Sequence, residues 1–408
     1  MHYAEFPRLP SWQGVVKSQL SRAILGSVLV ILVLIGGWSV ATGHRRGACA
    51  VQVPYLLTCD LLPVHGLVGS EKLSFFQDPA VIAAFERRGL AVTVEAAGSR
   101  TMACESDLRS YDFAFPGSAS AATDILAKAG VAGRPTAVFG SPLVVATFRD
   151  VAKALPSGVV SADLRTFNFD QYLDQVVRTR KRWRDLRLPA PYPLFQRAVL
   201  LSTRLDTSNS AELYLALASF AVNGDAPIPS ANPGTVTDQA EELFRAQGST
   251  ALTSEEPFDQ YFSAEGYQLP MQVFYEAQFL DAARRHPDGL VTQVTAVDGT
   301  EVTLDRIMLY PARTVSSTHT VAALTERGGD VAAALTGDPE LRRLEAVHGF
   351  RPVGDAKVFA AENGGRGLAA VDPPGPPVPM PPAELWKSFQ DTVIAGVYGE
   401  DRAGVACS

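Results

Sequence analysis

The chain has 408 residues, of which 47% are hydrophobic and 19% charged, and it carries a formal net charge of −7. That length allows one large bilobed unit or two ordinary domains, each able to bury a sizeable core. The mildly acidic balance leaves no electrostatic footprint for nucleic acid, so no nucleic-acid partner is expected.

The first expected element is a membrane span. Residues Ala23 to Thr42 carry no charge and are mostly Ile, Leu, Val and Gly. Such a run covers roughly 30 Å as a helix, the thickness of the hydrocarbon core. Trp38 stands near its far end, where an interfacial anchor belongs. Arg8, Lys17 and Arg22 precede the span, and Arg45 and Arg46 follow it. Residues 1–22 are placed in the cytoplasm, residues 23–42 form a signal anchor, and residues 43–59 connect it to an extracytoplasmic domain. The apolar run is longer than a signal-peptide core. Arg46, Gly47 and Ala48 before Cys49 do not make a lipidation motif. All four cysteines, Cys49, Cys59, Cys104 and Cys407, lie beyond the span. An even count in an oxidising compartment points to structural disulfides, with three pairings open. No two cysteines have CxxC spacing and no histidine completes a zinc set, so no metal is expected.

Strands and helices then alternate. His65 to Gly69 reads as a strand. Asp78-Pro79 opens a helix with a cap and a first-turn proline, Val81, Ile82 and Phe85 form its apolar stripe, and Gly89 closes it. Leu90 to Ala96 is a strand, with a helix after Gly98-Ser99-Arg100. Tyr111 to Phe115 is a strand, followed by Ser118 and an alanine-rich helix through Ala129, then a strand over Ala137 to Thr147. This order predicts βαβ units and a mostly parallel sheet. Phe167 to Arg182 reads as a helix ending near Trp183, and the basic run Arg178 to Arg187 as a solvated face with a buried Trp. Arg197 to Thr203 reads as a strand. Thr207 to Ser210 caps a long helix whose apolar face is Leu213, Tyr214, Leu217, Phe220 and Ala221. Asp238 to Ala246 and Phe258 to Phe262 are further helices, and Met271 to Phe279 and Arg306 to Tyr310 are strands or strand–helix junctions. Asp372 to Pro382 is proline-rich and extended, and Glu384 to Val397 is a final helix.

Candidate ligand-binding residues sit where strands give way to helices. They are Ser70, Glu71 and Lys72 after the first strand, Ser99 and Arg100 after the second, and Ser118 after the third. Ser208 and Asn209 cap the long helix, and Tyr275 and Glu276 lie in an apolar segment. Helix N-termini present free N–H groups, and ligands of open α/β sheets gather at the carboxyl ends of strands. Arg100 after Gly98-Ser99 suits an anionic group. The chain lacks GxSxG, Walker A, HExxH and GxGxxG motifs, so no catalytic residue and no cofactor are expected.

The order of several segments carries a family resemblance. They are Gly69-Ser70-Glu71-Lys72, "AAGSRT" ending at Thr101, "YDFAFPGS" ending at Ser118, "VFGSPLVVAT" ending at Thr147, "KRW" ending at Trp183 and "TSNSAELYL" ending at Leu215. "PMQVFYEAQFL" ending at Leu280, "IMLYPARTVSSTH" ending at His319 and "GFRP" ending at Pro352 complete the series. The chain resembles the type 2 periplasmic substrate-binding proteins of bacterial ABC uptake systems, in particular their molybdate/sulfate-like and uncharacterised actinobacterial branches, over Val64 to Pro352. The resemblance implies an α/β fold of two lobes closing on a ligand, with crossings near Ser141 to Thr147 and Ile307 to Pro311. Lobe I is then residues 60–142 and 310–370, lobe II residues 143–309, and residues 371–408 form the proline-rich segment and C-terminal helix. The function implied is capture of a small polar or anionic solute, with a membrane permease or sensor protein as partner. A sensor or scaffold without transport is the alternative, and a membrane-anchored hydrolase a third. A carboxylate or serine bonded to a histidine in the cleft would mark the hydrolase.

Overall fold

The computed structural model describes residues 49–52, 56–59, 61–104, 107–230, 233–248, 250–296, 299–369, 372–373 and 375–399. The apolar run 23–42, its flanks and Cys407 lie outside them. Among the described residues no helix is long and apolar enough to cross a membrane. The chain divides into two compact units, Met1–Leu62 and Pro63–Ser408. In the first, β1 (Cys49–Gln52) pairs antiparallel with β2 (Leu56–Cys59), which sets Cys49 opposite Cys59 in the ladder.

The second unit is built on one sheet. In chain order its strands are β3 (Leu62–Val68), β4 (Leu90–Ala96), β5 (Phe113–Phe115), β6 (Thr136–Phe148), β7 (Thr166–Phe167), β8 (Met271–Tyr275), β9 (Val291–Thr295), β10 (Glu301–Pro311), β11 (Ser316–Ala323) and β12 (Arg351–Pro352). The spatial order is β4-β3-β5-β11-β6-β10-β7, with β8 and β12 on β6 and β9 on β10. The expected mostly parallel sheet is not what forms. β3 pairs with β5 in parallel and β10 with β7 in parallel, but every ladder of the long β6 is antiparallel. β10 and β11 run in the same direction on opposite sides of β6, both antiparallel to it.

β6 changes partners along its length. Thr136 to Pro142 pair with β11, and Leu143 to Thr147 pair with β8, whose register sets Leu143 opposite Tyr275. One strand thus threads both halves of the sheet. Its side chains are almost all buried on both faces, as its continuous apolar pattern requires.

Local signals placed the early elements well. The helix Pro79–Glu86 is capped by Asp78, whose side chain accepts from the Ala80 N–H at 2.6 Å, and Gly89 takes the left-handed conformation after it. The helix Ala119–Ala129 starts at Ser118 and stops at Gly130, φ 66°. Two expected elements fail. The helix over Phe167 to Arg182 is interrupted: β7 ends at Phe167, helical turns run from Phe169 to Val177, and Arg180 then adopts φ 52°. Arg197 to Thr203 forms no strand; isolated bridges, Arg182 to Arg197 and Leu201 to Gln272, and hydrogen bonds to Tyr172 and Gln247 tie it down. Trp183 is buried, in a short turn of 3-10 helix rather than a long helix. Met271 to Phe279 splits into β8 and the helix Glu276–Arg285. Beyond Gly375 the proline-rich segment runs extended beside Thr314, and the helix Ala383–Tyr398 follows, burying Trp386, Phe389, Val393 and Ile394.

Candidate functional site

The carboxyl ends of β3, β5 and β8 meet the N-terminus of the helix Asn209–Val222 and the middle of β11. β3 delivers Glu71 and Lys72, the turn after β4 delivers Ser99, and β5 delivers Gly117. Asn209 comes from its helix, Tyr275 from β8, and Ser317 and His319 from alternate positions of β11, which a strand turns to one face.

Gly117 is the node of one network. Its N–H donates to Ser99 Oγ at 2.8 Å. Its carbonyl accepts from Ser317 Oγ and, at 3.3 Å, from Asn209 Nδ2. Asn209 Nδ2 also lies 2.8 Å from Tyr275 Oη and 3.4 Å from Ser317 Oγ. A Cβ at Gly117 would stand 2.8 Å from Asn209 Nδ2, so only glycine lets the amide approach this closely.

The second network carries charge. Lys72 Nζ bonds Glu71 Oε1 and lies 2.9 Å from His319 Nδ1, which is itself 3.2 Å from Glu71 Oε1. The Lys72 and His319 side chains are fully buried and that of Glu71 is 7% exposed. The ammonium also stands 5.0 Å over the Phe115 ring, and the Tyr275 ring lies edge-on to His319. Burial by itself would raise the Glu71 carboxyl, but Lys72 and His319 reverse this and hold it well below the usual carboxylate range. Burial, with the Lys72 charge, pushes His319 down to about 4. Burial also lowers Lys72, against the pull of Glu71. The imidazole is therefore neutral. His319 Nε2 has no hydrogen-bond partner among the described residues.

Of the ten sequence candidates, Glu71, Lys72, Ser99, Asn209 and Tyr275 converge here. Ser70 is buried at the start of the same turn. Ser118 caps its helix through Ala121 N and lies 3.2 Å from Ser120 Oγ. Ser208 Oγ lies 2.9 Å from Ser210 Oγ. The Arg100 guanidinium faces the C-terminal helix, 3.4 Å from Gln390 Oε1 and 3.8 Å from Asp391 Oδ1, while its backbone N–H donates to Thr207 O at 3.2 Å. Glu276 is fully buried and engaged by Arg351 Nε at 2.6 Å, Arg351 Nη2 at 2.8 Å and the Tyr310 hydroxyl. Ser317, His319 and Gly117 are not among those ten candidates. The i, i+2 spacing of Ser317 and His319 in a β-rich stretch was the available signal.

The Glu71–His319 contact is the carboxylate–histidine pair set out above as the mark of a hydrolase. Its Nδ1 is shared with Lys72, and no described hydroxyl lies on Nε2.

No protein-family model and no curated protein matches the chain. Solved structures do. The substrate-binding protein of an ABC transporter from Agrobacterium tumefaciens is 12% identical over 86% of this chain and 97% of that one, with a TM-score of 0.51. A ferric binding protein from Campylobacter jejuni is 10% identical over 83% and 99%, TM-score 0.47. The sulfate-binding protein of Mycobacterium tuberculosis is 15% identical over 77% and 93%, TM-score 0.45. Likeness at such identity is one of fold: the chain has the mixed α/β fold of the type 2 periplasmic binding proteins.

Proposed function

We propose that the chain is a membrane-tethered, extracytoplasmic solute-binding protein that holds a small polar or anionic ligand at the Lys72–His319–Asn209–Tyr275 cluster, and that it is not an enzyme. One observation carries this: a lysine, a glutamate and a histidine are buried together at the carboxyl ends of the strands. Taking such charges out of water costs several kcal/mol each, so they are rarely placed where a plain apolar core would serve. The fold supplies the setting, since ligands of open α/β sheets collect at this edge. Native mass spectrometry of the purified protein should find a co-purified small solute, lost in Lys72→Met. A wild-type protein that carries none and binds none of a panel of oxyanions, amino acids and sugars defeats the proposal.

A second reading, a sensor or scaffold that keeps the fold without transporting, is favoured by the direct Arg100 N–H to Thr207 O and Asn209 to Gly117 bonds. They close the site with the protein's own groups. Under that reading Lys72→Met leaves the mass spectrum of the native protein unchanged apart from the substitution.

The tether rests on the uncharged run 23–42, and the proposed disulfides rest on the even cysteine count beyond it. One preparation tests both. Protease added to intact cells should digest everything beyond Cys49 while residues before Arg22 stay protected, and alkylation of the unreduced protein should find no free thiol. Protection of the large domain would overturn the topology, and four reactive thiols would overturn the disulfides.

A further inference from the structure

We infer that the Glu71 carboxylate is an internal occupant of an oxyanion subsite, held on Lys72 until a carboxylate, sulfate or phosphate group of the ligand displaces it. The inference presupposes that the cluster is a solute site and names the chemistry it takes.

Neighbouring residues of a helical turn do not normally face one another. Glu71 and Lys72 do, because the Glu71 side chain folds back over Gly69. A Cβ on Gly69 would lie 2.4 and 2.6 Å from the two carboxylate oxygens, so the carboxylate occupies the space that a side chain at residue 69 would fill. Gly69 itself has φ −60° and ψ 140°, a conformation any residue adopts, so the glycine answers to this close approach and not to backbone strain. Lys72 is fixed differently. Its ammonium is held between His319 Nδ1 and the Phe115 ring, both on strands of the sheet.

The cation is therefore part of the framework, whereas its counterion sits on the turn Ser70–Lys72 and is 7% exposed. His319 Nε2 is a buried ring nitrogen with no partner among the described residues, and Glu71 leaves it unused. As a stand-in for a ligand, Glu71 keeps Lys72 paired in the empty protein, which avoids the cost of an uncompensated buried charge.

The test is calorimetry of the full-length protein with sodium sulfate and, separately, sodium acetate at constant ionic strength. Sulfate and acetate distinguish an inorganic oxyanion from a carboxylate ligand. Glu71→Gln removes the competing charge and is expected to bind one of them about tenfold or more tighter than wild type. Gly69→Ala should act in the same direction, because the added methyl pushes the carboxylate off. Adding Lys72→Met to Glu71→Gln should abolish the gain. Circular dichroism establishes that each variant is folded. If both single variants fold and bind no tighter than wild type, Glu71 occupies no ligand subsite. If neither folds, Glu71 is a structural partner of Lys72 and the inference falls as well. Wild-type binding of a panel solute that depends on Lys72 but is unchanged in Glu71→Gln defeats the displacement and leaves the solute-binding reading intact. Absence of binding in every protein defeats both.

Discussion

Replacing Arg351 by alanine is expected to cost about 3–5 kcal/mol of folding stability at pH 7, the penalty for leaving a buried carboxylate without its partner. Glu276 has no exposed side-chain surface, and Arg351 approaches it with two nitrogens at 2.6 and 2.8 Å. The guanidinium also stacks 3.9 Å over Phe359, so packing is lost with the charge. Burial already raises the Glu276 carboxyl, outweighing Arg351 and Tyr310. Without the guanidinium it rises further. An acid whose folded-state pKa is raised is destabilising above that pKa, and the penalty recedes as pH falls through it. The deficit of Arg351→Ala should therefore be largest at neutral pH and shrink on acidification. Glu276→Leu combined with Arg351→Met should stay close to wild type or exceed it, because it removes both charges. Urea unfolding at two pH values measures all of this. A loss below about 1 kcal/mol for Arg351→Ala, the worth of an exposed pair, would mean that water reaches the carboxylate.

Acidification by itself should weaken the protein through His319. Its pKa lies at about 4 in the folded chain, against 6.5 for the unperturbed side chain. For a base held below its unfolded value, the unfolded chain takes up the proton first. Stability is fully present above about pH 6.5 and is lost as pH falls toward about 4, by about 3 kcal/mol in all. The groups facing the ring are Lys72, Glu71 and Tyr275. Glu71 stays ionised in the folded chain across this window, and burial holds Tyr275 well above its ordinary value. His319→Gln keeps an acceptor for Lys72 and carries no titration. The difference in unfolding free energy between wild type and His319→Gln should therefore slope with pH between these values. A flat difference would place the imidazole in contact with water.

Sequence by itself determined the parts of the molecule that rest on local chemistry. Asp78-Pro79 starts a helix because a carboxylate caps the free N–H groups and proline has none to lose, and Gly89 ends it because it accepts positive φ. The strand–turn–helix order along residues 62–148, the helix after Ser208 and the loop carrying Glu71 and Lys72 were readable for the same reason. The order of motifs was enough to indicate the binding-protein fold. What only the tertiary structure decided is which loop residues meet. Lys72 and His319 are 247 positions apart, Asn209 and Gly117 are 92 apart, and Glu276 and Arg351 are 75 apart. Nothing in a polar loop says whether its arginine points into a cleft or, like Arg100, onto a C-terminal helix. The antiparallel return of β10 and β11 onto β6 decided it. It brought Ser317 and His319 under the β3 and β5 loops and left Glu276 to pair with Arg351, because a strand's partners follow from long-range register and not from its own residues.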